Sequence, residues 1–128
     1  MKMNFYKCDL CGNTLTPLLD SGVGPVCCGQ DMDLLKAGTG DGAVEKHVPV
    51  IEREDDGHHI TVSVGSAPHP MTKEHYIQFV VLAYGSRFDF RLIDAEEDQT
   101  TRFSIKDNSI PLIAYAYCNL HGLYEAEI

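Results

Sequence analysis

Ile60-Thr61-Val62-Ser63-Val64 sets apolar and small polar side chains in strict alternation. In an extended chain successive side chains point to opposite faces, so this run reads as a strand with one face buried. Phe88-Asp89-Phe90-Arg91-Leu92 repeats the pattern. Outward from these two, short runs rich in Val, Ile, Phe, Tyr and Thr occupy His47–Glu52, His59–Val64, Tyr76–Ala83, Phe88–Asp94, Thr100–Ile105 and Leu112–Tyr117. Turn-forming clusters separate them: Asp55-Asp56-Gly57, Gly65-Ser66, Gly85-Ser86 and Lys106-Asp107-Asn108. Gly85-Ser86, glycine first, suits a two-residue hairpin turn. About seven short strands in roughly 80 residues, with no helix longer than a turn or two, predict an immunoglobulin-like antiparallel β-sandwich. The expected fold class is all-β.

The first 36 residues read differently. They carry four of the five cysteines, and Leu15, Leu18, Leu19, Val23, Val26, Met32, Leu34 and Leu35 are most of what could form a core. So small a piece buries too little apolar area to fold alone and needs a metal, a disulfide or a partner chain. Lys36-Ala37-Gly38-Thr39-Gly40-Asp41-Gly42-Ala43 is glycine-rich and reads as a linker or flexible loop. The expected organisation is a metal-bound domain over 1–36, a linker over 37–44 and a sandwich domain over 45–128.

Composition narrows the function. The 128-residue chain has 44% apolar and 23% charged residues, which marks a globular protein. Its net charge of −9, with no cluster of Lys and Arg, argues against nucleic acid and anionic membranes as partners. No apolar run is long enough to span a bilayer, and the N-terminus lacks a signal-peptide apolar region, so the cytoplasm is the expected location. In that compartment five cysteines are not a disulfide framework.

Cys8-Asp9-Leu10-Cys11-Gly12 is a C-x-x-C knuckle, and Cys27-Cys28-Gly29 adds two further thiols. Four soft anionic ligands suit a tetrahedral zinc or iron ion, and spacing alone does not choose between them. Adjacent Cys27 and Cys28 are unusual for a structural zinc site and are expected to distort the tetrahedron. A redox dithiol at Cys8 and Cys11 and a vicinal disulfide at Cys27 and Cys28 are the competing readings.

The second constellation is His47, His69, His75, Cys118 and His121. His47 opens a strand in this reading, His69 and His75 flank a loop, and Cys118 and His121 follow the strand Leu112–Tyr117. Sheet scaffolds carry their sites at such strand ends and loops. Imidazole and thiolate suit several transition ions. One thiolate with four imidazoles exceeds the four ligands zinc takes and implies a square-pyramidal ion with one open position, as a catalytic metal keeps. Scattered surface histidines and a small core cysteine are the plain alternative. His58 and His59, after Asp55-Asp56-Gly57, read as turn and strand-edge residues rather than ligands.

These residues carry a resemblance. Phe5-Tyr6-Lys7-Cys8-Asp9-Leu10-Cys11-Gly12-Asn13 with Val26-Cys27-Cys28-Gly29-Gln30-Asp31-Met32 resembles a desulforedoxin-type (rubredoxin-like) domain. Glu45-Lys46-His47-Val48-Pro49, His69-Pro70-Met71-Thr72-Lys73-Glu74-His75-Tyr76-Ile77 and Cys118-Asn119-Leu120-His121-Gly122-Leu123-Tyr124 resemble a neelaredoxin-like superoxide reductase domain. In order and together, over nearly the whole chain, they resemble the desulfoferrodoxin family of two-iron superoxide reductases.

The resemblance implies two non-haem irons. Cys8, Cys11, Cys27 and Cys28 would hold the first, an auxiliary electron carrier. His47, His69, His75 and His121 would be the equatorial nitrogens of the second, with Cys118 as axial thiolate. Glu45 matches the family's carboxylate that takes the sixth position after oxidation, and Lys46 the lysine beside it. A ferrous ion with four neutral imidazoles and one thiolate keeps one net positive charge, so it attracts superoxide although the chain is acidic. A homodimer and a rubredoxin-like donor are also implied. Tryptophans common in related sequences are replaced by Phe79 and Tyr124, changes that conserve aromatic bulk and are expected to affect packing alone. Two other functions stay open at this point: a zinc-ribbon-like structural protein, and a non-catalytic iron carrier or redox sensor.

Overall fold

The computed structural model describes residues 2–40 and 42–128, which gather into two compact units, Lys2–Lys36 and Ala37–Ile128. The smaller unit has five two-residue strands: β1 (Tyr6–Lys7), β2 (Thr14–Leu15), β3 (Val26–Cys27), β4 (Gln30–Asp31) and β5 (Asp33–Leu34). A three-stranded sheet in the order β2-β1-β5 stands beside the hairpin β3–β4. Its interior is Tyr6, Cys8 and Met32, with Cys27 packed against them. Of the apolar residues expected to form this core, Met32 does. Leu18, Leu19, Val23 and Val26 stay largely exposed, Leu19 at 94%. The chain is too short to wrap a leucine core, and thiols occupy the centre instead.

The larger unit opens with one helical turn, α1 (Val44–His47), and continues through β6 (Pro49–Arg53), β7 (His59–Val64), β8 (Ile77–Tyr84), β9 (Arg87–Leu92), β10 (Thr101–Ser104), β11 (Ile113–Cys118) and β12 (Gly122–Glu127). Two antiparallel sheets result, β10-β7-β6 and β12-β11-β8-β9. The alternation in β7 becomes alternating burial, with Ile60, Val62 and Val64 turned inward. They meet Val80 and Leu82 of β8, and Ala114 and Ala116 of β11, in one core. Each fully buried aliphatic side chain there contributes about 1.5–3 kcal/mol. The β8–β9 turn is two residues, with Tyr84 paired to Arg87 and Gly85 at φ +55°. Glycine fills that first position because a side chain there is strained.

Two readings change in detail. His47 does not open a strand but closes α1. Pro49 restricts Val48 to an extended conformation (φ −70°, ψ 121°), so the helical turn stops at His47 and β6 starts two residues later, at Pro49. In β9 the alternation gives a strand whose apolar members pair with Phe79, Val81 and Ala83 on the sheet's outer face, and Leu92 is 81% exposed. Asp89 points the other way and accepts the Tyr84 hydroxyl at 2.9 Å. Among the described residues no helix is long and apolar enough to cross a membrane.

Candidate metal centres

Cys8 follows β1, and the turn to Cys11 is closed by Gly12 N–H donating to the Cys8 carbonyl and Cys8 N–H to that of Asn13, both at 2.9 Å. Cys27 ends β3, and Cys28 is the first residue of the β3–β4 turn. Cys28 and Gly29 have φ of +53° and +75°, the pattern of a hairpin turn with both central residues left-handed. That turn is how two adjacent cysteines face one point. It places a non-glycine residue in a conformation costing about 1–2 kcal/mol.

The four Sγ atoms lie within 4.8 Å of one another, with Cys11 to Cys27 at 3.5 Å and Cys27 to Cys28 at 3.9 Å. Metal–sulfur bonds near 2.3 Å in a tetrahedron require sulfurs about 3.8 Å apart. The charges point the same way. Backbone N–H groups of Cys11, then Leu10, hold Cys8 down to about 7, whereas the neighbouring sulfurs of Cys11, Cys8 and Cys27 push Cys28 up to about 12. Four thiolates are not stable together without a cation, so the donor set fits a metal ion.

The second cluster forms at one end of the sandwich. His47 comes from α1, His69 and His75 from the β7–β8 loop, Cys118 from the end of β11 and His121 from the β11–β12 turn. The imidazole centroids form a ring: His47–His69 4.5 Å, His69–His75 4.7 Å, His75–His121 5.1 Å and His121–His47 5.0 Å. His47 to His75 is longer, at 6.4 Å, as a diagonal should be. Ligand atoms of His47, His69, His75 and Cys118 lie within 4.8 Å of one another; His121 is not in that group, and its ring stands next to those of His47 and His75. A β-bulge between Tyr117 and Cys118 ends the regular register of β11 with β8 and re-aims the fully buried Cys118.

The tautomers are set by the backbone. His47 Nδ1 meets the Ala43 carbonyl at 2.7 Å and His69 Nδ1 the Pro70 carbonyl at 2.6 Å. Carbonyls only accept, so both Nδ1 atoms carry a proton; in neutral rings the two Nε2 atoms, 3.0 Å apart, then present lone pairs to each other. The buried His75 Nε2 has no hydrogen-bond partner. Two lone pairs facing each other and an orphaned third nitrogen are costly unless a cation sits among them, so this donor set also fits a metal ion.

The comparisons decide the family. The desulfoferrodoxin model matches residues 39–127 and the desulfoferrodoxin N-terminal domain model residues 1–35. The chain belongs to the desulfoferrodoxin family. It is 44% identical to the desulfoferrodoxin of Syntrophotalea carbinolica, over 98% of this chain and 97% of that one. A superoxide reductase of Pyrococcus horikoshii is 37% identical over 70% of this chain and 91% of its own. Among solved structures, the Treponema pallidum superoxide reductase superimposes with a TM-score of 0.79 at 28% identity, over 98% of this chain and 97% of that one.

Within this desulfoferrodoxin-family chain, several residues that support the His ring gave no signal in the sequence. The Asn119 amide accepts from Tyr76 N–H at 3.0 Å and donates to the Glu74 carbonyl at 2.9 Å, bracketing His75. The Gln99 amide accepts from His69 N–H and donates to the Val64 carbonyl, both at 3.1 Å. Only the folded chain joins such distant positions. Glu45 and Lys46, on α1 beside buried His47, are exposed. The Glu45 carbonyl accepts from Ala67 N–H at 2.8 Å, which fixes α1 to the loop after β7. Phe79 stacks on Tyr117 at 5.3 Å. Tyr124 does more than conserve bulk, since its ring lies 4.9 Å from that of His47.

His58 and His59 stand apart from both centres. His58 Nδ1 binds the Lys106 carbonyl, and His59 pairs with Asp56. His59, Asp56 and Glu54 are close enough to resemble a metal site, but Arg102 already donates to both Glu54 oxygens at 2.9 Å.

Burial pushes His69 down to about 4 against the opposing Pro70 hydrogen bond, and burial, then the neighbouring His121, His47 and Lys46, lowers His75. Between about 4 and 6.5 the unfolded His69 therefore binds more protons than the folded one, and stability rises with pH across that window. For metal-free protein, the melting temperature is expected to fall as pH drops from 6.5 towards 4. In His69→Gln it should fall less steeply, and parallel curves for the two proteins would contradict the assignment.

Proposed function

We propose that this chain reduces superoxide to hydrogen peroxide at an iron held by His47, His69, His75, His121 and Cys118. A second iron at Cys8, Cys11, Cys27 and Cys28 serves as an auxiliary electron carrier. The observation that carries this is the ring of four imidazoles around one point with a single buried thiol beside it. Its relatives named superoxide reductase support the same reading. Iron in such a set supplies one electron and an open coordination position for a small anion.

The protein supplies the rest. Proton-bearing Nδ1 atoms on His47 and His69 keep their Nε2 atoms aimed inward, and neutral rings leave the bound cation's charge uncancelled. Cys118, sealed from solvent, is the one anionic donor, and its charge goes unscreened by water. Lys46 places an exposed positive charge one residue from His47 and draws superoxide inward against the acidic whole. Glu45, exposed on the same helical turn as His47, would offer its carboxylate to the oxidised ion held there. With the Nδ1 protons of His47 and His69 held by backbone carbonyls, water brings the two protons that peroxide needs.

Residues 1–36 form the electron-carrying domain in this reading and the sandwich the catalytic one. A small rubredoxin-like protein is the donor. Exposed Leu18, Leu19, Val23 and Val26 support pairing with a second copy of the chain. Five cysteines without a disulfide fit the reducing cytoplasm.

Product counting tests the reaction. Reduced, iron-loaded protein should yield one peroxide per superoxide consumed and evolve no oxygen. Oxygen evolution with one peroxide per two superoxides would make it a dismutase.

A further inference from the structure

The segment that reads as a linker is part of the second centre. Residues 38–43, of which Asp41 lies outside the described residues, run against the imidazole ring. Gly38 N–H donates to the Leu123 carbonyl at 2.8 Å. Gly42 N–H donates to the Tyr124 hydroxyl at 3.1 Å, and that hydroxyl donates back to the Gly42 carbonyl at 3.5 Å. One residue on, the Ala43 carbonyl accepts the His47 Nδ1 proton. There is no spare room. A Cβ on Gly42 would stand 2.6 Å from His47 Cε1 and 2.8 Å from the Tyr124 hydroxyl, and one on Gly40 would overlap the His121 carbonyl.

We propose that Tyr124 is a positioning residue for the second metal centre. Its hydroxyl ties down Gly42, the tie holds the Ala43 carbonyl on His47 Nδ1, and that bond keeps Nε2 aimed at the metal. The inference rests on His47 being a metal ligand, as in the proposed function. Three observations carry it together: the buried Tyr124 ring lies against His47, its hydroxyl bonds the strap at both backbone atoms of Gly42, and the strap bonds His47 itself. Glycines at 40 and 42 follow from the same contact, because only a backbone without Cβ fits between the tyrosine hydroxyl and the two histidines. The strap's carbonyl also tunes the metal. A donor on Nδ1 that gives its proton to a held carbonyl makes Nε2 a stronger ligand.

The chain's two centres provide an internal control. In full-length protein with both irons bound, Tyr124→Phe keeps the ring and removes the tie. Three quantities are measured: hydrogen exchange of peptides covering 38–47, the rate at which each iron is lost to a chelator, and the reduction potential of each centre. Exchange over 38–47 is expected to speed up about tenfold, and iron loss from the His/Cys centre about tenfold. The potential of that centre should rise, and all values for the four-cysteine centre should stay as in the wild type. Gly42→Ala, which displaces the strap with the hydroxyl intact, should give the same signature at the His/Cys centre. Unchanged loss rate and potential in Tyr124→Phe, or equal changes at both centres, would overturn the proposal. Wild-type protein that takes up no metal at His47 would overturn it too, and would show, before any variant is made, that the proposed function had failed.

Discussion

Cys118→Ser is expected to lower superoxide reduction by more than about 100-fold, since even groups that only orient a metal ligand are worth 10–100-fold. The variant should also lose the thiolate-to-metal absorption of the second centre while keeping that of the first. Alternate residues Leu112, Ala114, Ala116 and Cys118 enter the core, and the register shift after Tyr117 pairs Cys118 with Ile77 at the end of β11, next to His47, His69 and His75. There it is fully buried and is the sole thiol among His47, His69, His75 and Cys118. Serine nearly matches its shape, but at neutral pH it stays a neutral hydroxyl and contributes no thiolate charge. A buried hydroxyl without a partner costs about 1–3 kcal/mol, so the melting temperature should drop modestly with the fold kept. Spectra of the iron-loaded variant and its rate with superoxide are the check. A variant with near wild-type rate would remove Cys118 from the chemistry.

Cys8→Ser should instead collapse the small unit and spare the reaction. Among the described residues its interior cluster is Tyr6, Cys8 and Met32, and Leu10, Leu15, Leu18, Leu19 and Leu34 are exposed. Binding of a structural metal by four such ligands is worth about 10–16 kcal/mol in small zinc domains, far more than three side chains of packing. Loss of one thiolate removes most of that. Residues 2–36 are then expected to exchange amide hydrogens quickly and to be cut by proteases, while 44–128 keep their protection. The sandwich keeps its own core of Ile60, Val62, Val80, Leu82 and Leu112, and none of the residues proposed for the second centre lies before Glu45. Loss of superoxide reduction in a Cys8→Ser protein with the second centre fully loaded would show that the first iron is required for turnover.

What was legible in the sequence was what repeats locally. Alternation in Ile60–Val64 and the turn at Gly85-Ser86 name strands and hairpins because one face of a strand must be apolar and one turn position must be glycine. Cys8-x-x-Cys11 names a metal because two thiols so spaced converge on one point. His47, His69, His75, Cys118 and His121 were visible as residue types, but their meeting is a property of the sandwich ends, and the resemblance to known relatives supplied it. The seventh strand, Gly122–Glu127, carries Leu123 and Tyr124 buried side by side, and such a pair gives no alternation to read. The 38–43 strap looked like a linker because glycine serves flexible chain and tight contact equally. Nothing in the sequence marks Gln99 or Asn119 as a support of the His ring, since their partners lie 30 and more positions away.

The measurement that reaches the central claim most directly is rapid mixing of fully reduced, two-iron protein with superoxide, followed in the thiolate-to-metal band of the second centre. The account predicts that the oxidised band appears with a rate constant approaching about 10⁸–10⁹ M⁻¹ s⁻¹, falling as salt screens Lys46, with one peroxide formed per centre oxidised. If both centres carry iron and superoxide leaves the second one reduced, the site is not a superoxide reductase.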